Sequence, residues 1–433
     1  MSTARALVVA APSSGSGKTT VATGLTAALR RRGTPVAPFK VGPDYIDPGY
    51  HTLAAGRPGR NLDPVLVGAD LIGPLARHGA AGAVLAVVEG VMGLFDGRLG
   101  DGAGSTAQVA TLLRAPVLLV VDCGGQSRSL AALLHGFRSF DPGVRIAGVV
   151  LNRVGSERHE AVLRAAAEEV GLAVLGALPR RAALAVPSRH LGLVTAAEHG
   201  AAATAAVDAM AALVAAHVDL DAVAALAEPL PPGPVWDPAR RAPEHRSPHT
   251  TAMFGGAAFT FGYAEHVELL EAAGSEVVVV DPLRDERLPD GTRALVLPGG
   301  FPEEHVATLG ANEALLRAVR AAVAAGVAVH AECGGLLYLC AELDGVPLAG
   351  VLPAAAALTG RLTLGYRDAV ALTGSALFPA GARVTGHEFH RCAVTPRAGP
   401  DPAWGWRDGA PEGWVHGRVH ASFLHTHPAG SVG

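Results

Sequence analysis

The stretch Ala11-Pro-Ser-Ser-Gly-Ser-Gly-Lys-Thr-Thr20 constrains this chain more than any other. It joins an apolar run, Ala6–Ala11, to a helical pattern that runs from about Thr19 to Arg32. A glycine-rich turn between a buried strand and a helix N-terminus gathers backbone N–H groups around phosphates; the Lys reaches the outer phosphates and the hydroxyl can hold Mg²⁺. Ser14, Gly15, Ser16, Gly17, Lys18, Thr19 and Thr20 are the expected ATP-binding residues. Pro12 replaces the first glycine of the usual pattern, so the loop is a variant.

The same alternation continues downstream. Apolar runs at Val36–Lys40, Ala83–Val88, Val117–Asp122, Ile146–Leu151 and Val174–Leu178 are separated in several places by helical stretches such as Glu157–Val170. Continuous Val/Leu/Ile runs between helices predict a parallel sheet covered on both faces. Residues 228–249 interrupt this with a Pro-rich, charge-scattered stretch that reads as a semi-rigid linker. A second alternation follows, with strands expected at Ala252–Thr260, Glu276–Val280, Ala294–Leu297 and Val327–Ala331 and helices at Tyr263–Ala273 and Asn312–Ala325. The expected organisation is two α/β domains, 1–227 and 250–433.

Composition narrows the function classes. Hydrophobic residues are 49% and charged residues 17%, which supplies a large core built from Ala, Val and Leu, since aromatics are only 5%. A net charge of −4 gives no basic face, so nucleic acid is not an expected partner. Four cysteines do not make a disulfide scaffold and fit a reduced cytoplasm. Mean hydropathy is +0.30, yet Glu89 and Asp208 interrupt the apolar stretches. No run approaches the roughly 18–20 apolar residues of a membrane span. The expected location is cytoplasmic.

Two acidic segments lie near the phosphate loop. Glu89 ends a strand, the position that faces the ligand crevice of a parallel sheet, and is a candidate Mg²⁺ ligand. Asp44 and Asp47, in Phe39-Lys-Val-Gly-Pro-Asp-Tyr-Ile-Asp-Pro48, lie on a Pro-stiffened loop. They fit Mg²⁺ coordination, orientation of a second substrate, or a plain Asp-rich turn, and spacing does not choose.

In the second half, Val327-Ala-Val-His-Ala-Glu-Cys-Gly-Gly-Leu336 is a strand ending in a nucleophile elbow with Cys333 at its tip. A thiol at a helix N-terminus is expected to have a lowered pKa. His425, at the end of Val419-His-Ala-Ser-Phe-Leu-His-Thr-His427, is the expected base, and the turn containing Gly299 and Gly300 the expected source of oxyanion donors. Cys123, Cys340 and Cys392 read as core residues. His387, His390, His416, His420, His425 and His427 match no zinc spacing.

Nearly the whole chain resembles, in order, the glutamine-dependent a,c-diamide synthases of corrinoid biosynthesis, which act on cobyrinate or hydrogenobyrinate. The resemblance rests on Ala11–Thr20, Phe39–Pro48, Gly56-Arg-Pro with Asn61-Leu-Asp63, Val88–Gly97, Arg189–Leu193, Leu297–Pro302, Ala331–Leu336, Gly386-His-Glu-Phe-His390 and Ala421–His427. It implies a dethiobiotin-synthetase-like, P-loop parallel-sheet domain fused to a class I type glutamine amidotransferase α/β domain. It implies ATP, glutamine and a corrinoid acid as small-molecule substrates, with Mg²⁺ held by Thr19, Asp47 and Glu89, and Asp44, Tyr45 and Asp96 on the substrate side. Cys333 aligns with the family's nucleophile and His425 with its activating histidine. His427 stands where ordinary class I glutaminases have Glu, which implies a Cys-His dyad; Phe423 stands where the family often has Tyr.

The implied reaction is amidation of the a- and c-acetates through an acyl phosphate. The Ala/Gly/Arg-rich composition tilts the substrate toward hydrogenobyrinate by association. Cobyric acid synthase and nickel-sirohydrochlorin amidating enzymes share this chemistry, and the 39–48 loop argues against the first. A regulatory P-loop ATPase with an inactive glutaminase domain is disfavoured by Ser13, where such ATPases often carry Lys, and by the intact Cys333/His425 pair. A homodimer is the expected assembly.

Overall fold

The apolar run before the glycine-rich turn forms strand β1, Arg5–Ala10, buried from Ala6 onward. In this computed structural model, residues 4–180, 188–189, 192–193, 195–242, 248–407 and 409–430 are described. Of the expected segment Arg189–Leu193, His190 and Leu191 lie outside them. β1 lies at the centre of a sheet with β2 (Val36–Val41), β3 (Arg60–Leu62), β4 (Leu85–Glu89), β5 (Val117–Asp122), β6 (Ile146–Val154) and β7 (Val174–Pro179), in the order β3-β2-β4-β1-β5-β6-β7. All these strands run parallel. β1, β2 and β4 are buried along nearly their full length, as a parallel sheet flanked by helices requires. Helix α1 (Lys18–Arg31) packs so tightly on α3 (Ala201–His217) that a Cβ at Gly24 would lie 2.6 Å from the Met210 carbonyl oxygen. Helix α2 (Asp47–Ala55) follows β2.

The chain divides between Trp236 and Asp237 into two compact units. The start of the stretch read as a linker belongs to the first unit. Glu228–Pro229 forms strand β8, antiparallel to the start of β1. Leu230 and Trp236 are buried, and Arg77 donates from Nε to the Pro234 carbonyl and from Nη1 to the Pro231 carbonyl, both at 2.8 Å. Prolines keep their carbonyls while lacking N–H donors, so an arginine ties down the Pro-rich strap that follows β8.

The second unit holds a sheet of β9 (His249–Phe254), β10 (Ser275–Val280), β11 (Thr292–Leu297), β12 (Ala328–Glu332), β18 (Trp414–His416) and β19 (Val419–Ser422), in the order β10-β9-β11-β12-β19-β18, parallel except for the last pair. β9 ends six residues before the expected Thr260, because Gly256 turns the chain at φ 77°. A further sheet was not expected. β13 (Cys340–Leu343), β14 (Val346–Pro347), the long hairpin of β15 (Leu352–Ala371) and β16 (Arg383–Thr395), and β17 (Trp404–Trp406) against β15 compose it. Among the described residues no helix is long and apolar enough to cross a membrane.

Candidate active sites

In the first unit the loops after β1, β2, β4 and β6 meet at the carboxyl edge of the sheet, where ligands of open α/β sheets bind. The phosphate loop turns on Gly15 and Gly17, at φ 78° and 100°. A side chain at Gly17 would strike Asn152, whose Nδ2 donates to the Ser16 carbonyl at 2.9 Å. Ser14 is exposed, Ser16 buried, and Thr20 lies in the first turn of α1. Lys18 crosses the loop, donating to the carbonyls of Ser13 (3.2 Å) and Met92 (2.5 Å). Burial, with the nearby Lys40 charge, lowers its pKa to about 8.

Below the loop lies a buried ionic cluster. Glu89 Oε1 accepts from Thr19 Oγ1 (2.6 Å) and Lys40 Nζ (2.9 Å), and its Oε2 lies 2.7 Å from His51 Nε2. Asp47 Oδ2 accepts from Lys40 Nζ (2.5 Å) and Thr19 Oγ1 (3.3 Å). Against the cost of burial, Lys40 and His51 hold Glu89 well below the carboxylate range. Burial and the Asp44 charge push Asp47 up to about 7. Burial disfavours the Lys40 ammonium, but Asp47, Glu89 and Asp44 more than offset this and hold it charged. Thr19, Asp47 and Glu89 thus converge, as expected, and their hard oxygens suit Mg²⁺, which takes one or two carboxylates plus phosphate oxygens and water.

Three neighbouring expectations change in detail. Asp47 is the first residue of α2 rather than a loop residue. Asp44 Oδ1 caps that turn, accepting from the N–H groups of Ile46 (2.9 Å) and Asp47 (3.0 Å). Tyr45 is buried, while Asp96 is exposed and accepts from Gly93 N–H at 2.9 Å. Lys40, His51, Asn61 and Asn152 were missed. Asn61 Nδ2 holds the 42–44 turn through the carbonyls of Gly42 (2.8 Å) and Asp44 (2.7 Å). The lysine inside the quoted Phe39–Pro48 motif was the available signal.

In the second unit Cys333 follows β12, which pairs in parallel with β19, and His425 follows β19. Cys333 adopts φ 48°, ψ −100°, a strained elbow fixed by its N–H donating to the Ser422 carbonyl at 2.7 Å. Glycine is needed after Cys333 and on the facing turn. Side chains at Gly334 and Gly335 would meet Gly300 and Leu297, and one at Gly299 would strike the His425 ring. The expected Gly299–Gly300 turn therefore abuts both the elbow and the histidine. The expected low thiol pKa is not found: burial, then the Glu303 charge, pushes Cys333 well above its ordinary value. The fully buried site outweighs the short helix behind it.

The dyad acquires an unforeseen carboxylate. Glu332 Oε2 lies 3.8 Å from His425 Nδ1. Its Oε1 accepts from Thr426 N–H (3.0 Å) and Thr426 Oγ1 (2.8 Å) and lies 3.2 Å from His330 Nε2. Burial opposes its charge, but His330 and His425 hold it well below the usual range. His427 instead accepts from Ala429 N–H at 3.1 Å and packs 4.3 Å from the Tyr263 ring. The Gly386–His390 motif forms a wall of this site. His387 and His425 exchange backbone hydrogen bonds at 2.9 Å, and the Phe389 carbonyl accepts from Cys333 Sγ at 3.7 Å.

Glu412 supports the same loop, accepting from Phe423 N–H (2.8 Å) and Ser422 Oγ (2.6 Å). Burial raises its pKa to about 7. A raised carboxyl pKa contributes stability below its unfolded value and loses it as pH rises through the folded one. Glu412→Gln is expected to be more stable than the parent at pH 8, by about 3 kcal/mol at most at ~1.4 kcal/mol per pKa unit, and indistinguishable at pH 4. Parallel denaturation curves at both pH values check this; an equal difference at each would contradict it.

A phosphate loop over an acidic cluster in one unit, and a cysteine elbow with its histidine in the other, define a nucleotide-binding domain joined to a glutamine amidotransferase domain. Residues 7–194 match the CobQ/CobB/MinD/ParA nucleotide binding domain, and residues 252–431 the CobB/CobQ-like glutamine amidotransferase domain. The hydrogenobyrinate a,c-diamide synthase of Mycobacterium tuberculosis is 61% identical over 99% of this chain and 96% of its own length. That of Streptomyces coelicolor is 58% identical over 99% and 95%. The cobyrinate a,c-diamide synthase of Gloeobacter violaceus is 44% identical over 98% and 93%. The chain belongs to the hydrogenobyrinate/cobyrinate a,c-diamide synthase family.

Proposed function

We propose that this enzyme amidates the a- and c-acetate carboxylates of a corrinoid acid, hydrogenobyrinate in preference to cobyrinate, using ATP and glutamine. The observation that carries the reading is the convergence of Lys18, Thr19, Asp47 and Glu89 in a chain that also holds the Cys333–His425–Glu332 arrangement. The ATP-dependent step is assigned to residues 1–227 and glutamine hydrolysis to 250–433.

In the glutaminase half, Cys333 Sγ attacks the side-chain amide carbon of glutamine. His425 takes the thiol proton and passes it to the departing nitrogen, so ammonia leaves and a thioester remains, which water opens to glutamate. The raised thiol pKa supports a thiolate formed in this transfer, not one standing beforehand. Backbone N–H groups of the Gly299–Gly300 turn stabilise the oxyanion.

In the ATP half, a carboxylate oxygen of the corrinoid attacks the γ-phosphorus and ADP leaves. Ammonia then displaces phosphate from the acyl phosphate, losing a proton, to give the carboxamide. Lys18 and Lys40 offset charge on the transferring group, and Asp44, Tyr45 and Asp96 border the substrate. Bound Mg²⁺, held by Thr19, Asp47 and Glu89, would supply charge neutralisation on the β- and γ-phosphates. We assign the enzyme to the cytoplasm as a homodimer, an assembly that its mass in solution would check.

Mass spectrometry of matched reactions on hydrogenobyrinate and cobyrinate, with ATP, Mg²⁺ and glutamine, tests the reading. Two added amide groups on hydrogenobyrinate, formed faster than on cobyrinate, support it; faster amidation of cobyrinate would overturn the preference and keep the corrinoid reading. Active glutaminase and ATPase with neither substrate amidated would overturn the corrinoid assignment. Glu332 is assigned to orienting His425. Glu332→Gln is expected to lower kcat for glutamine hydrolysis by roughly 10²-fold with little change in KM, as loss of a histidine-orienting carboxylate does. An unchanged kcat would leave His425 to act as half of a simple dyad.

A further inference from the structure

A cavity of about 740 Å³ lies in the second unit, on the hairpin of β15 and β16. That is within the range of sites for sizeable organic ligands and generous for an amino acid. Four arginines line it, Arg361, Arg367, Arg397 and Arg407, against two carboxylates, Asp368 and Glu388. Both carboxylates are engaged: Glu388 Oε2 accepts from Arg367 Nε at 2.7 Å, and Asp368 Oδ1 from Thr385 Oγ1 at 2.9 Å. Among the described residues, Arg361 and Arg397 have no carboxylate within ion-pair distance. Arg397 and Arg367 sit over the Trp406 ring, 5.5 and 6.0 Å from its centroid. Phe423, stacked on His390 at 3.8 Å, lines another wall. Stacked guanidinium groups keep their donor edges open to bidentate carboxylate binding.

The cavity shares its walls with the glutaminase site. β16 supplies Glu388 and His390 to the cavity, and between them Phe389, whose carbonyl meets Cys333. Glutamine, with one carboxylate beside one ammonium, does not match this surplus of cations. A flat apolar ring carrying several peripheral carboxylates matches the arginines, the aromatic faces and the volume together.

We propose that this arginine-lined cavity is a binding site for the carboxylate periphery of the corrinoid acid, a specificity element outside the phosphate-loop unit. The inference rests on the corrinoid reading above. Arg361 and Arg397 are the anchoring cations.

The test is equilibrium binding of hydrogenobyrinate to the full-length enzyme without ATP, followed by quenching of tryptophan fluorescence, for the parent and for Arg361→Glu and Arg397→Glu. Both side chains are exposed, so reversal leaves the core intact. Each reversal is expected to weaken binding tenfold or more and to flatten its salt dependence, while KM and kcat for glutamine hydrolysis stay within twofold of the parent. Hydrogenobyrinate with its carboxylates esterified is expected not to compete. Unchanged hydrogenobyrinate affinity in both variants overturns the proposal, as does a raised KM for glutamine with corrinoid affinity unmoved, which would make the cavity a glutamine subsite. Because binding is read without turnover, failure of the amidation assay would sink the reaction assignment and leave this test standing.

Discussion

Cys333→Ala is expected to abolish glutamine-dependent amidation, by on the order of 10⁴-fold or more, since removing a nucleophile eliminates the covalent route itself. The same variant should retain amidation driven by added ammonia, because the phosphate loop and its acidic cluster belong to the other unit. The substitution also relieves no packing that the fold needs. The elbow is set by the backbone bond to Ser422 and by close approach at Gly334 and Gly335, and neither depends on the thiol. Parallel rate measurements with glutamine and with ammonium chloride at alkaline pH separate the two routes. Loss of both would mean that Cys333 serves the ATP-dependent step, contrary to the assignment. Survival of the glutamine route would remove it as nucleophile.

Lys40→Met is expected to cost both activity and stability. The ammonium is buried and bonded to Asp47 and Glu89 at 2.5 and 2.9 Å. Removing one member of a buried ionic set leaves the others uncompensated, a loss of roughly 3–5 kcal/mol. The pH dependence follows from sign. Asp47 is already raised to about 7, above its unfolded value, and without Lys40 it rises further, so its ionisation costs more stability as pH rises through the folded pKa. Glu89, held well below its unfolded value, loses part of the stability it contributes above that value. The deficit against the parent should therefore be larger at pH 8 than at pH 6. Denaturant unfolding at the two pH values measures it. A pH-independent deficit would point to lost packing instead of lost charge, and no deficit would mean that water or another cation compensates the cluster. Activity should fall with stability held fixed by saturating ATP, because Lys40 spans the two carboxylates proposed above to hold Mg²⁺.

Local chemistry wrote much of this protein openly in its chain. The Gly15–Thr20 turn, the Val/Leu strands and the Ala-Glu-Cys-Gly-Gly elbow each work within a few residues: a positive φ, a two-sided burial pattern, a nucleophile between a strand and glycines. Those features determined two α/β halves, the phosphate loop, Cys333 and His425, and the family motifs attached the corrinoid reading. What escaped were relations between distant segments. Lys40 reads as one polar residue in an apolar strand until β2 and β4 lie side by side and bring it to Glu89. Glu332 reads as a strand end until β12 and β19 pair and place His425 beside it. The strap after residue 227 reads as a linker until Arg77 grips its carbonyls. The thiol pKa was misjudged because a helix terminus is a local feature and burial is a global one. Sequence determines which groups are available and how each segment turns; only strand pairing and burial decide which charges meet and whether water is there to share them.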